Sequence, residues 1–190
     1  MARAPVREGT VMIVAVYGSA APKPGTPLYQ NALELGRLLA QAGYTVMTGG
    51  YGGTMEAVSR GAAEVGGATL GVTCAEIEQY RPGKANPWVQ QEIRTQTLPQ
   101  RLEVLTRQPD AMIALPGGIG TLCEISLALN LMVISPAPPK PFILIGTSWE
   151  KVFRQFFTVN HEMINELDQP RVQFARDPID AVTYLQKSLF

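Results

Sequence analysis

The chain alternates short apolar runs with longer segments in which apolar residues recur at helical spacing. The apolar runs are rich in β-branched residues and have no polar face, which is typical of parallel strands that are buried on both sides. They lie at 11–17, 44–48, 68–73, 111–115 and 142–145, with a further short one at 171–174. The helical segments lie at 28–41, 53–65, 98–107, 121–133, 149–159 and 178–187.

Strands that alternate with helices predict a single-domain Rossmann-like α/β fold. Its doubly wound parallel sheet would carry helices on both faces, joined by right-handed crossovers. Residues 1–10 are interpreted as a flexible polar tail and 11–190 as the one nucleotide-binding domain. The segment 75–96 is long and polar and contains two prolines. It is therefore predicted to be a functional or mobile loop.

Composition narrows the possible partners. The chain has 190 residues, and its 16 basic and 16 acidic side chains give a formal net charge of +0. A net charge of zero gives no overall electrostatic attraction to nucleic acid or to an anionic membrane. No apolar run approaches the roughly 18 residues of a membrane span. Cys74 and Cys123 form neither a disulfide framework nor a metal-binding spacing, so we expect a cytoplasmic protein without a metal.

Three loops rich in small residues follow predicted strands and should meet at one edge of the sheet. Glycine-rich turns that lead into helix N-termini bind anions, because free N–H groups and the helix dipole favour negative charge. The alternative is that the glycines only permit tight turns, but two such loops at equivalent strand ends favour phosphate. The candidate ligands are Gly18, Ser19, Gly49, Gly50, Gly52, Gly53, Thr54, Pro116, Gly117, Gly118, Gly120 and Thr121.

These loops do not fit the common cofactor motifs. In the dinucleotide fingerprint G-x-G-x-x-G, Cys123 stands where the third glycine would follow 118–120, and Met55 where it would follow 50–52. The second predicted strand ends at Thr48 without an acid for a ribose, and there is no P-loop. No lysine is placed for a pyridoxal phosphate Schiff base. We therefore predict no resident cofactor.

Glu124 has two interpretations that spacing alone leaves open. With Thr121 it matches the capping box S/T-x-x-E, in which the glutamate accepts a hydrogen bond from the backbone N–H of the N-cap residue. A carboxylate in the first helical turn beside an anion-binding loop is also where a general base or a ribose-hydroxyl ligand would lie.

The run PGGIGTLCE at 116–124 matches P-G-G-x-G-T-x-x-E in full, and GGYGGTMEAV at 49–58 supplies a second glycine loop. On these motifs, and on Gly18 and Ser19 after the first strand, the chain resembles the Lonely Guy family of cytokinin riboside 5′-monophosphate phosphoribohydrolases. The superfamily that contains this family is also called lysine decarboxylase-like, and the resemblance spans most of the chain. It extends to a side branch of the superfamily that includes molybdenum-cofactor carrier proteins.

The resemblance implies hydrolysis of the N-glycosidic bond of a nucleoside 5′-monophosphate, such as AMP or a cytokinin riboside monophosphate. It implies Glu124 and Arg101 as the catalytic pair, the arginine lying nine residues before Asp110, and a homodimer. The side branch implies a carrier that binds a phosphorylated ligand without cleaving it. Leu98 and Leu102 stand where active members usually have methionine and lysine.

Several further side chains have both a functional and a structural interpretation. Without the resemblance, Arg101 would be interpreted as a solvated arginine on a helix face. Cys123 is either a reactive thiol at a helix N-terminus or a small packed thiol. Glu56 is either a second cleft carboxylate or a first-turn acid that complements its helix dipole. Tyr51 and Trp88 are candidates for stacking on a base, with packing as the alternative.

Overall fold

The computed structural model describes residues 11–81, 83–164 and 172–189. In chain order the elements are β1 (Ile13–Tyr17), α1 (Pro27–Gln41), β2 (Thr45–Thr48), α2 (Thr54–Glu64), β3 (Thr69–Cys74), α3 (Ala75–Tyr80), β4 (Gln91–Thr95), α4 (Leu98–Arg107), β5 (Ala111–Ala114), α5 (Ile119–Ile134), β6 (Phe142–Ile145), α6 (Thr147–Val159), β7 (Val172–Ala175) and α7 (Pro178–Leu189). A 3₁₀ turn at His161–Met163 follows α6. The strands form one parallel sheet of seven strands in the order β4-β3-β2-β1-β5-β6-β7, which confirms the predicted α/β fold.

The sheet is covered on both faces, as the uniformly apolar strands predict. Successive side chains of a strand point to opposite faces. In β1, Val14 and Val16 join the core beneath α1, α2 and α7. Ala15 and Tyr17 join the second core, beneath α4, α5 and α6. A strand in this position needs apolar residues at every site, because neither face meets water.

Two glycines allow α1 and α2 to pack at very short range. A Cβ atom on Gly36 would lie 2.1 Å from the carbonyl oxygen of Val58, and one on Gly61 would lie 1.9 Å from that of Leu33. Any larger residue would force the helices apart. This contact fixes the position of α2, and therefore the glycine loop that precedes it at the carboxyl edge of the sheet.

The segment 75–96, predicted to be a functional or mobile loop, is not a loop throughout. The segment contains α3 and the edge strand β4 (Gln91–Thr95), which pairs with β3 in parallel. Only Ile93 and Thr95 of β4 turn away from solvent, so the strand lacks the apolar signal of the central strands. In the sequence, an edge strand with exposed polar side chains has the same polar composition as a loop.

The remaining differences lie at element ends. The predicted strand at 171–174 corresponds to β7, and Arg171 lies outside the described residues, as does the predicted tail at 1–10.

Among the described residues, no helix is both long and apolar enough to span a membrane.

Candidate functional site

The first two glycine loops lie against each other at the carboxyl ends of β1 and β2. Both the backbone N–H and the hydroxyl of Thr54 donate to the carbonyl of Ser19, at 2.9 and 3.0 Å. Gly53 has φ +70°, and a Cβ atom there would lie 2.4 Å from the same carbonyl oxygen. A Cβ atom on Gly18 would lie 2.2 Å from the hydroxyl of Thr54. Glycine is therefore required on both sides of this contact.

The third loop leads directly into α5. Gly118 is the N-cap, and the helix starts at Ile119. Positions 118 and 120 have no heavy atom within 4 Å of where a Cβ atom would lie, so this backbone faces open space. The exposed first turn of α5 and the N-terminus of α2 thus lie at the same edge of the sheet, where an anion could meet their free N–H groups.

The capping-box interpretation of Glu124 is wrong. Because Gly118 takes the N-cap position in an extended conformation, Thr121 lies inside the first turn and no side chain caps the helix. Thr121 is buried and its side chain lies over Gly117, where a Cβ atom would come within 2.2 Å of its hydroxyl. The carboxylate of Glu124 is therefore not occupied by the start of its own helix.

Glu124 instead pairs with Arg101, and both side chains are buried, at 7% and 6% exposure. Nη1 of Arg101 lies 3.5 Å from Oε1 of Glu124. The same guanidinium donates from Nε to the carbonyl of Val72 at 2.8 Å and from Nη2 to that of Gly49 at 3.0 Å. The solvated interpretation of Arg101 is thus wrong, because α4 presents this side chain to the ends of β2 and β3.

Burial changes the acid–base behaviour of Glu124. Removal from water raises its pKa from 4.5 to about 7, although the positive charge of Arg101 lowers it. A carboxyl group with a pKa near neutrality can both take and release a proton under physiological conditions. Burial, and secondarily the nearby Glu124, raises the pKa of Tyr17 well above its ordinary value, and the hydroxyl of Tyr17 donates to the carbonyl of Leu105.

A cavity of about 300 Å³ opens beside the ion pair. Its walls come from α3, α4 and the first turns of α5, and most of the surface is apolar. Leu98 and Leu102 form one side, so the two departures from the usual family residues lie together in the cavity wall. The lining residues are Ile77, Tyr80, Arg81, Leu98, Arg101, Leu102, Gly120, Cys123 and Glu124.

The other candidates separate into those near the cavity and those away from it. Cys123 is exposed and lines the cavity, so the interpretation as a packed thiol is wrong. Trp88 lies under the guanidinium of Arg60, with 5.5 Å between Cζ and the ring centroid, and does not line the cavity. Glu56 is half-buried and accepts a hydrogen bond from the hydroxyl of Tyr29 at 3.3 Å.

Sequence reasoning missed the cavity residues of α3. Ile77 and Tyr80 are spaced by three positions within a polar segment, a weak helical signal that could have located this helix. Within the described ranges, no three His, Cys, Asp or Glu side chains are grouped so that they could hold a metal ion.

The fold and the site together define a Rossmann-like α/β protein in which glycine loops and a buried Arg–Glu pair meet at the carboxyl edge of the sheet. The sequence profile of the SLOG cluster4 family matches residues 11–171. The chain therefore belongs to this family, and the predicted relationship to the Lonely Guy superfamily is confirmed.

Individual relatives carry two different functions. A cytokinin riboside 5′-monophosphate phosphoribohydrolase of Mycobacterium tuberculosis is 38% identical over 113 residues, 59% of this chain and 59% of that enzyme. The match thus spans less than two thirds of the enzyme's length. The molybdenum cofactor binding protein of Rippkaea orientalis is 25% identical with a TM-score of 0.75, covering 96% of this chain and 99% of that one. The molybdenum cofactor carrier protein of Chlamydomonas reinhardtii is 26% identical with a TM-score of 0.71, covering 95% and 99%.

The raised pKa of Glu124 makes stability depend on pH. Between 4.5 and about 7, the folded protein holds a proton that the unfolded chain has released. Through this group, the free energy of unfolding falls as pH rises across that window and levels off above it. We expect Glu124→Gln to remove this decrease in the free energy of unfolding. Between about pH 5 and about pH 8, the free energy of unfolding of the variant should therefore rise by on the order of 2 kcal/mol relative to that of the wild type. Urea unfolding at a series of pH values measures it.

Glu103→Gln is the matched control, because Glu103 is an exposed carboxylate, on α4, at 67% side-chain exposure. The free energy of unfolding of Glu103→Gln should vary with pH in the same way as that of the wild type. Loss of the partner of Arg101 in Glu124→Gln changes stability by an amount that does not vary over this pH range. Parallel pH profiles for Glu124→Gln and the wild type would therefore contradict the raised pKa.

Proposed function

We propose that the protein hydrolyses the N-glycosidic bond of a nucleoside 5′-monophosphate such as AMP, releasing the base and ribose 5-phosphate. The observation that carries the proposal is the buried pair of Arg101 and Glu124, 3.5 Å apart, where the glycine loops meet. The pKa of Glu124 near 7 suits a group that must exchange a proton in the reaction. The similarity to the mycobacterial enzyme supports the same activity.

In this proposal the glycine loops hold the phosphate. The N-termini of α2 and α5 would each favour an anion by roughly 0.3–1 kcal/mol, and by up to about 2 kcal/mol when partly buried. The phosphate is remote from the bond that breaks, so its binding energy can be used to reach the transition state. The ribose then lies between the loops and Glu124, and the base enters the apolar cavity.

Cleavage gives the ribose the character of an oxocarbenium ion. A water molecule attacks C1′ as the bond from C1′ to the base nitrogen breaks, and the base leaves with a proton. Ionised Glu124 stabilises the positive ribose or takes a proton from the water. Arg101 counters negative charge that develops on the leaving base or lies on the phosphate.

A second candidate is a carrier that holds a phosphorylated ligand, such as the molybdenum cofactor or a nucleotide, without cleaving it. The structural similarity to the two molybdenum-cofactor proteins favours this candidate, because it extends over 95–96% of this chain and 99% of each of those proteins. The leucines that stand in the cavity wall, where active phosphoribohydrolases usually carry methionine and lysine, favour the same candidate. The same loops would serve as its phosphate site.

Incubation with AMP separates the two candidates. The wild type should release adenine, detected by chromatography, and Glu124→Gln should lower the turnover number by roughly 10²–10⁴-fold, the usual contribution of a positioned acid–base group. The affinity for AMP should be retained in Glu124→Gln, because the glycine loops are unchanged. Glu103→Gln is the matched control and should keep wild-type turnover.

The outcome that contradicts hydrolysis is specific. If the wild type binds AMP or another nucleoside monophosphate and releases no base, the carrier function replaces the enzymatic one. Turnover that survives in Glu124→Gln would remove Glu124 from the reaction even if the activity itself is present.

We also propose that the protein forms a homo-oligomer, as the family resemblance implies. The support is an apolar groove of about 520 Å³ between α5 and α6. α5 carries apolar residues on nearly all sides, and Phe156 and Val133, which line the groove, are 52% and 44% exposed. Large exposed apolar patches mark interaction surfaces, and a second copy of the chain would cover this one.

Size-exclusion chromatography with light scattering measures the oligomeric state. The wild type should elute as a dimer or a larger assembly. Phe156→Asp, in the groove, should shift it to the monomer, because burying a carboxylate in an apolar interface is costly. Ile179→Asp is the matched control, since Ile179 is 64% exposed on α7, away from the groove, and should leave the assembly unchanged. A monomeric wild type at micromolar concentration would contradict this proposal.

A further inference from the structure

Tyr51 contacts the guanidinium of Arg101 from the second glycine loop. The Cζ atom of Arg101 lies over the Tyr51 ring, 5.7 Å from its centroid. A guanidinium in this position is attracted by the negative face of the ring. Tyr51 does not line the cavity beside Glu124, so it has no place there from which to stack on a base.

The hydroxyl of Tyr51 is tied to the junction between β3 and α3. It accepts a hydrogen bond from the backbone N–H of Cys74 at 2.7 Å. Its own proton faces the carbonyl of Cys74 at 3.2 Å and Oε1 of Glu78 at 3.3 Å. Glu78 is itself paired with Arg94 of β4. Both ends of the tyrosine are therefore engaged, and the ring has little freedom to move.

The guanidinium of Arg101 is constrained from three directions. The carbonyls of Val72 and Gly49 accept from Nε and Nη2, and Cζ of the group lies over the ring of Tyr51. The remaining nitrogen, Nη1, points to Glu124. The contacts with Gly49 and Tyr51 come from one loop, so that loop sets the direction in which Arg101 faces the carboxylate.

We propose that Tyr51 is a positioning residue that orients Arg101 towards Glu124 and, through its hydroxyl, locks the second glycine loop to α3. The inference rests on the proposed function in one respect, namely that the pair of Arg101 and Glu124 is the reactive site. Tyr51 is not among the residues that line the cavity. It acts through Arg101, and α3, to which it is locked, forms a wall of the cavity.

This role has a consequence that a purely structural tyrosine would not have. Among the described residues, Arg101 is the charged group that acts on Glu124, and Glu124 in turn raises the pKa of Tyr17. Arg81 and Cys123 line the same cavity as Glu124, and Glu78 and Arg101 act on Tyr51. The positive charge of Arg101 lowers the pKa of Glu124. If Arg101 loses its fixed orientation, this lowering weakens and the pKa of Glu124 should rise further.

The test is a carbon-detected NMR titration of the Glu124 carboxyl group, assigned by comparison with Glu124→Gln, together with AMP turnover. In Tyr51→Leu, which removes the ring, the pKa of Glu124 should rise by about half a unit or more. The turnover number should fall roughly tenfold, and KM should change by less than about threefold. Tyr51→Phe, which keeps the ring and loses its anchor, should shift both quantities in the same direction by a smaller amount.

Tyr184→Leu is the matched control, because Tyr184 is also a partly buried tyrosine but packs on α7 against the core, away from Arg101. It should leave both the titration and the turnover number unchanged. If Tyr51→Leu does not fold, Tyr51→Phe decides the question. An unchanged Glu124 titration in the folded Tyr51 variants would overturn the proposal. Because the titration needs no substrate, a wild type that fails to cleave AMP contradicts the proposed function alone.

Discussion

The buried contact between Arg101 and Glu124 is the interaction on which the rest of the site depends. It joins α4 to α5 across the carboxyl ends of the strands, and the arginine carries the contact on to β2 and β3 through backbone carbonyls. A buried ion pair is seldom a net source of stability, because desolvation offsets the attraction. Its position beside an open cavity at a ligand-binding edge favours a functional explanation.

The glycine loops supply the second constraint, because they let backbone approach backbone where a side chain would not fit. Gly53 lies against the carbonyl of Ser19, and Gly49 lies so close to Arg101 that a Cβ atom would come within 2.0 Å of Nη2. The second loop therefore has two tasks at once. It closes on the first loop at the proposed phosphate site, and it leaves room for the guanidinium that reaches Glu124.

The sequence predicted those parts of the fold whose signal is local. Central strands are buried on both faces, so their uniform apolar character identifies them, whereas β4 exposes most of its side chains and has no apolar pattern that distinguishes it from a loop. Arg101 and Glu124, the pair that we propose to be catalytic, could be named only through the family motif and the nine-residue spacing to Asp110. Burial, which changes the pKa of Glu124 and removes Arg101 from solvent, depends on α3 and α4 packing against the sheet. No local pattern records that packing.

The capping box illustrates the same limit at one residue. Thr121 and Glu124 have the right spacing, but Gly118 starts the helix earlier and leaves the carboxylate free to face Arg101. Spacing alone is compatible with either arrangement. Three-dimensional context decides between them, because the extended backbone at Gly118 sets where the first turn begins.

The most direct measurement is a crystal structure of the Glu124→Gln protein with AMP bound. The account predicts the phosphate at the N-termini of α2 and α5, C1′ of the ribose beside position 124, and the adenine in the cavity bounded by Leu98 and Leu102. A phosphate bound elsewhere, or a ribose directed away from position 124 with the glycine loops occupied, would contradict it.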